Sequence, residues 1–303
     1  MLRDPQNPQK LNGILGTHVD DGIGGGNEVF EKALTKLHKI LPFGQREYRK
    51  FKFTGLDIEQ LPDNSIRISQ GEYINKIDPI NIAKNRRVQK DDNATEQEVQ
   101  DLRALCGSLQ YAAVHSRPDL AAKVSFLQKS IPQAKVQHLL DGNKVLLEAK
   151  ETAPTAIQIR PLSLEDTTFA SFGDASFASA SQLRAQQGLF IVACSKALSE
   201  NKTSDISPVA WNSKQIGRVV RSTLSAEAYA MSSSLDKLTW IRCMWAFIHN
   251  PSFKWQYPEK SLQDEPKALL ITDCKSLFDL VSKLATPNCQ EWRTRQPVDS
   301  APL

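Results

Sequence analysis

The hydrophobic rhythm of the chain changes several times, and each change marks an element. Residues Leu11 to Gly26 alternate apolar and small side chains around Asp20-Asp21-Gly22, which predicts strand, tight turn and strand. Asp-Gly there supplies the positive φ angles of a two-residue hairpin turn. Asn27 to Leu41 shifts to helical spacing, with Val29, Phe30, Ala33, Leu34, Leu37 and Ile40 on one face and Asn27 as the cap. Lys50 to Ile58 and Ser65 to Gln70 predict a hairpin around Leu61-Pro-Asp-Asn64. Thr95 and Glu98 form a capping box ahead of a helix carrying Val99, Leu102 and Leu109. Ser116-Arg-Pro-Asp119 breaks the pattern before a further helix through Leu127, and another helix runs from about Gln133 to Lys150.

Glu151 to Asp166, with Pro154 and Pro161 among polar residues, reads as a linker. Beyond it, Phe169 to Ala178 alternates aromatic and small residues and predicts a strand buried on at least one face. Strands over 188–194 and 208–212 follow in an antiparallel meander. Arg221 to His249 gives the longest helix, with Leu224, Ala228, Met231, Leu235, Leu238 and Trp245 inward. A strand over 268–272 and a helix from Ser276 to Leu284 complete the pattern. The expected fold is of the α+β or α/β class. Its domains are residues 1–150 and 167–286, joined by 151–166 and followed by a tail over 287–303.

A chain of 303 residues with 40% hydrophobic and 24% charged residues has the composition of a globular protein and room for two cores. Its apolar runs fall short of the ~18 residues of a membrane span, so no membrane partner is expected. The first residues lack the basic-then-apolar order of a secretory signal, which points to an intracellular protein. The five cysteines include no Cys-x-x-Cys pair, which argues for buried thiols over disulfides or zinc. A formal charge of +4 permits nucleic-acid binding. Arg46, Arg49, Lys50 and Lys52, interleaved with Tyr48, Phe51 and Phe53, fit either a nucleic-acid backbone or a solvated strand edge. Lys84, Arg86, Arg87 and Lys90 read as a solvated loop.

The acids carry the chemistry. Asp174 lies within an apolar strand, where an ionised carboxylate costs several kcal/mol unless it is paired or bound to a metal. Glu227 falls on the inward stripe of the longest helix among Ala226, Ala228 and Ala230, which permit close approach to a sheet. Asp273 follows a strand, where it serves as a helix cap, a ligand or both. Three acids from three elements, meeting at one sheet edge, predict a divalent-metal site. Asp20 and Asp21 form a second acidic pair, read either as a plain turn or as ligands for divalent cations.

Five motifs occur in order: His18-Val-Asp-Asp, Phe53-Thr-Gly-Leu-Asp-Ile, Ile68-Ser-Gln-Gly-Glu-Tyr-Ile, Leu105-Cys-Gly-Ser-Leu-Gln-Tyr-Ala and Ser116-Arg-Pro-Asp-Leu. Together they resemble the C-terminal part of a copia-type retrotransposon reverse transcriptase. Phe172-Gly-Asp-Ala-Ser-Phe, Ser222-Thr-Leu-Ser-Ala-Glu-Ala-Tyr and Ile271-Thr-Asp-Cys-Lys-Ser-Leu resemble the ribonuclease H domain that follows it in that family. The resemblance implies a partial palm with thumb or connection in residues 1–150, then a ribonuclease H-like mixed sheet with flanking helices.

In that family Asp20 and Asp21 match the paired palm aspartates, with His18 where a tyrosine is usual. The third polymerase carboxylate and the fingers would precede Met1. The resemblance further implies hydrolysis of the RNA strand of an RNA–DNA hybrid with Mg2+, for which Mn2+ can substitute. Asp174 would bridge two ions, Glu227 would hold one and help position the water or a 2′-hydroxyl, and Asp273 would hold the other. The family's fourth carboxylate, on a later helix, has no clear counterpart, since only Glu291 and Asp299 remain beyond the helix from Ser276 to Leu284 and Pro297 and Pro302 oppose a helix around Asp299. Expected partners are an RNA–DNA hybrid or other nucleic acid and other polyprotein segments, in a cytoplasmic particle or the nucleus. The alternative is a catalytically inactive remnant that only binds nucleic acid or a partner.

Overall fold

The computed structural model describes residues 1–177, 185–200, 202–263 and 265–284, so Glu291 and Asp299 lie outside the described residues. Strands β1 (Leu2–Arg3), β2 (Leu11–His18) and β3 (Asp21–Gly26) form a small antiparallel sheet. Gly13 and Gly26 face each other across it, and a Cβ on Gly13 would come within 2.4 Å of the Phe30 ring. Those two glycines therefore let helix α1 (Glu28–Ile40) lie on the sheet through Phe30. Asn27 caps that helix as expected, its side chain accepting from the Val29 and Phe30 amides.

Two local expectations need correction. Pairing of His18 with Asp21 makes Val19-Asp20 the turn, two residues earlier than Asp21-Gly22, and Val19 takes a φ of 52°. Register, fixed by the glycines under Phe30, overrides local turn preference. On α1 only Phe30 is buried, while Val29 is 50% and Ile40 83% exposed. A three-stranded sheet is too small to cover the whole apolar stripe.

The stretch expected to be one strand of a hairpin is itself a hairpin, β4 (Lys50–Phe53) and β5 (Leu56–Gln60), turning at Thr54 and Gly55 with φ of 47° and 78°. Strand β6 (Ile66–Ser69) pairs with β5. Helices α2 (Gly71–Asn75), α3 (Glu96–His115), α4 (Ala121–Ser130) and α5 (Val136–Glu151) then enclose a core of Ile74, Leu102, Leu109, Leu120, Val124 and Leu139. The Thr95–Glu98 capping box is formed. At the break between α3 and α4 the fully buried Arg117 grips Asp119 with Nε and Nη2 at 2.9 and 2.7 Å and donates to the Ala149 carbonyl. The 151–166 stretch is more than a linker: Glu151 ends α5, and β7 (Ile157–Ile159) pairs with β6 to complete a sheet of order β4-β5-β6-β7.

Three antiparallel strands follow: β8 (Thr167–Ser176), which starts two residues before its expected position, and β9 (Gln186–Ser195) and β10 (Ile206–Gln215), both longer than their sequence patterns suggested. Helix α6 (Thr223–His249) crosses them, with Leu238 on Phe169, Leu189 and Ile191. A short helix α7 (Pro258–Ser261) precedes β11 (Leu269–Ile271), which runs parallel to β8, and α8 (Lys275–Leu284) comes last. The sheet order is β10-β9-β8-β11, a mixed sheet flanked by helices. The whole is an α+β fold. The halves are bonded to each other: the Trp211 indole donates to the Ala113 carbonyl at 2.6 Å, and Gln186 donates to Ser125 at 2.8 Å. Among the described residues no helix is long and apolar enough to cross a membrane.

Candidate metal centre

Strand β8 is buried at every position from Thr167 to Ser171 and then alternates, exposing Phe172, Asp174 and Ser176 while Gly173 and Ala175 turn inward. Asp174 is thus an exposed acid on the open half of the strand. The expectation of a buried Asp174 does not hold; the buried acid is Glu227, only 6% exposed. Gly173 sets the distance to the helix, since a Cβ there would stand 2.8 Å from Ser234 Oγ. Ala226, Ala230 and Ser234, all buried, give α6 a small-residue face against that glycine, and Glu227 is carried down with it. Ser222 starts this helix by accepting from the Ser225 amide.

The third acid arrives through a short strand. Strand β11 stops opposite Phe172, so Asp273, two residues further, comes to the carboxyl end of the parallel β8–β11 pair. Helix α8 begins only at Lys275, which puts Cys274 at its flanking position in place of Asp273. Asp174, Glu227 and Asp273 each present a carboxylate oxygen, and the three oxygens lie within 4.8 Å of one another.

The electrostatics of this trio are unfavourable without a counter-ion. Burial first, then the neighbouring Asp174 and Asp273 carboxylates, push the Glu227 carboxyl above its ordinary value, and a hydrogen bond from the Ala175 backbone partly opposes them. Glu227 Oε2 is buried and lacks a hydrogen-bond partner. Clustered hard oxygens around an orphaned buried carboxylate oxygen fit magnesium or manganese.

Asp20 and Asp21 sit exposed at the tip of the β2–β3 hairpin. The positive φ of β-branched Val19 beside them is a strained backbone of the sort that clusters at functional sites. No third metal-ligating side chain joins them among the described residues. The chain is therefore expected not to extend a primed template, because phosphoryl transfer needs its full electrostatic cluster. Template-directed incorporation by the 303-residue chain that disappears on changing Asp20 and Asp21 to Asn would refute this.

The basic clusters are largely occupied. Arg46 pairs with Glu31, Lys50 with Glu59, and Lys52 with both Asp57 and Glu72. Arg86 was expected in a solvated loop, yet its Nε and Nη2 each bond Glu98 at 3.0 Å, and Arg87 donates to the Ile82 carbonyl. Both brace the segment before α3. Sequence reasoning missed a cleft of about 680 Å³ between α4 and the mixed sheet, walled by Phe126, Phe172, Phe190 and Trp211 and running to Asp174 and Asp273. Its walls come from both halves of the chain. A lone tryptophan within the short β10 pattern was the one signal for it.

No protein-family model and no curated protein matches this chain. Among solved structures, it is similar to a foamy viral protease-reverse transcriptase in complex with RNA/DNA hybrid, at 13% identity and a TM-score of 0.43. The match covers 86% of this chain, which spans 36% of the length of that one.

Proposed function

We propose that the chain is a reverse transcriptase–ribonuclease H fragment of the copia type, whose second half hydrolyses the RNA strand of an RNA–DNA hybrid. The observation that carries this reading is the approach of Asp174, Glu227 and Asp273 to within 4.8 Å. These three would hold magnesium, which when bound supplies an activated water and offsets charge at the scissile phosphate. Glu227 anchors the site from beneath, fixed by its bond with the Ala175 backbone. Asp174 and Asp273, both exposed, face the side from which a phosphodiester backbone has access. The motifs around all three acids, quoted above, add the family resemblance.

A second reading, a remnant that binds hybrid without cutting it, is favoured by one observation: no fourth acid joins the trio among the described residues. One assay separates the two. Hybrid labelled on either strand is incubated with the chain in magnesium, manganese or EDTA. The expected result is cleavage of the RNA strand alone, slow in magnesium, faster in manganese and absent in EDTA. Magnesium demands near-ideal octahedral geometry and dehydrates reluctantly, so a three-acid set suits it less well. Hybrid that is bound but uncut in both metals would establish the remnant.

A further inference from the structure

The C-terminal half of α6 and the loop after it carry an aromatic cluster that the metal centre does not use. Trp240, Met244 and Phe247 lie on one stripe of the helix and are 53%, 37% and 37% exposed. Trp255 and Tyr257 from the following loop join them, 41% and 60% exposed. Trp255 stands 5.5 Å from Trp240, 5.6 Å from Phe247 and 5.1 Å from Phe253, ring centre to ring centre. Phe253 is buried against Cys243, Ala246 and Leu262 and accounts for the packing of the loop. Trp240, Trp255 and Tyr257 go beyond what packing needs.

The surrounding charge is mostly positive, with Asp236 beside Lys237, Glu259 beside Lys260 and Glu265 held by His249 at 3.0 Å. Residues 237–260 contain Lys237, Arg242, Lys254 and Lys260 against a single acid, Glu259. Lys237 sits one helical turn before Trp240, Lys254 adjoins Trp255, and the Lys260 ammonium lies 5.5 Å from the Tyr257 ring centre. Arg3 adds a guanidinium, donating to the Ile248 carbonyl at 2.7 Å. Lysine is depleted in protein–protein interfaces, whereas aromatic rings interleaved with cations are how single strands are held.

We propose that this face binds single-stranded nucleic acid, with bases stacking on Trp240, Trp255 and Tyr257 while Lys237, Lys254 and Lys260 meet phosphates. The platform lies about 20 Å along α6 from Glu227, at ~1.5 Å per residue, and is a site separate from the acidic trio. It is suited to the unpaired strand beyond a duplex. Its occupancy needs no metal.

The test is titration of the full chain with an oligothymidylate of about 12 nucleotides in EDTA, read by tryptophan fluorescence. The expected result is quenching, with affinity falling as salt rises. Read by the anisotropy of a fluorescein-labelled oligonucleotide, because these variants lose the reporting rings, Trp240→Ala with Trp255→Ala is expected to weaken binding tenfold or more, and Trp255→Phe to keep it within about threefold, as a stacking ring remains. Lys254→Glu with Lys260→Glu, both exposed and so harmless to folding, is expected to weaken binding and flatten its salt dependence. Absence of quenching, or equal affinity in the charge-reversed variant, would overturn the proposal. So would a tryptophan variant whose sole effect is to dissolve self-association seen by light scattering, which would assign the face to a second copy. Because EDTA silences the acidic trio, failure here and failure of hybrid cleavage are read apart.

Discussion

Asp174→Asn is expected to abolish hybrid cleavage in magnesium and in manganese alike while leaving the fold intact. The side chain is exposed and near-isosteric with its replacement, so the change in stability should stay within about 0.5 kcal/mol. The chemical loss is far larger. An amide carries no charge to offset a divalent cation, and removing one preorganised electrostatic group of an active site lowers turnover by about 100- to 1,000-fold. Initial rates on a fluorescent hybrid, alongside thermal melts of both proteins, check the two halves of the expectation. Equal rates would place the chemistry elsewhere in the chain.

The second large effect concerns stability. Glu227 has its carboxyl raised by burial and by two like charges, so the folded chain binds its proton more tightly than the unfolded chain does. The favourable contribution of the protonated form is complete below the unfolded value of about 4.3 and is lost as pH rises through the raised folded value. At neutral pH without metal, the ionised group therefore works against the fold. Glu227→Gln keeps an acceptor for the Ala175 amide and removes the charge. In EDTA at pH 7 it is expected to be more stable than wild type and to melt at a higher temperature. The advantage should shrink toward pH 4. Adding magnesium should reverse the order, since an ion bound to the folded state at 100 times its Kd stabilises by about 2.7 kcal/mol and the glutamine variant forgoes most of that. Thermal melts at two pH values, with and without magnesium, give all four numbers. A Glu227→Gln protein less stable than wild type in EDTA would mean that the acid has a structural partner and no need of a cation.

The acids Asp174, Glu227 and Asp273 could be picked out in sequence because each breaks the pattern around it, and their convergence follows from the strand, helix and strand that bear them. Which of them is buried could not be read that way. Asp174 sits in an apolar run, but β11 is only three residues long and stops at Ile271, opposite Phe172, leaving the last part of β8 open. That depends on a distant strand's length. The Val19-Asp20 turn was misplaced for a similar reason, as pairing register is decided by the approach of Phe30 to Gly13 and Gly26. Strand β7, three residues among prolines, has too little sequence to show a period and exists because β6 offers it an edge. The stripe on α1 displayed helical periodicity correctly, though amphipathicity alone does not reveal how wide the covering surface will be.

The indole bond from Trp211 to Ala113 bears on where this molecule can be divided. By sequence, the proline-containing stretch before β8 looks like a seam, and excising everything before it would isolate the acidic trio as a portable unit. The contacts say otherwise. Such a piece would lose the acceptor for Trp211, the Ser125 partner of Gln186 and the α4 wall bearing Phe126, all on the sheet face that borders Asp174. The first half, whatever becomes of its own aspartate pair, serves the second as scaffolding, so its packing residues and the sheet that carries the acidic trio stand or fall together.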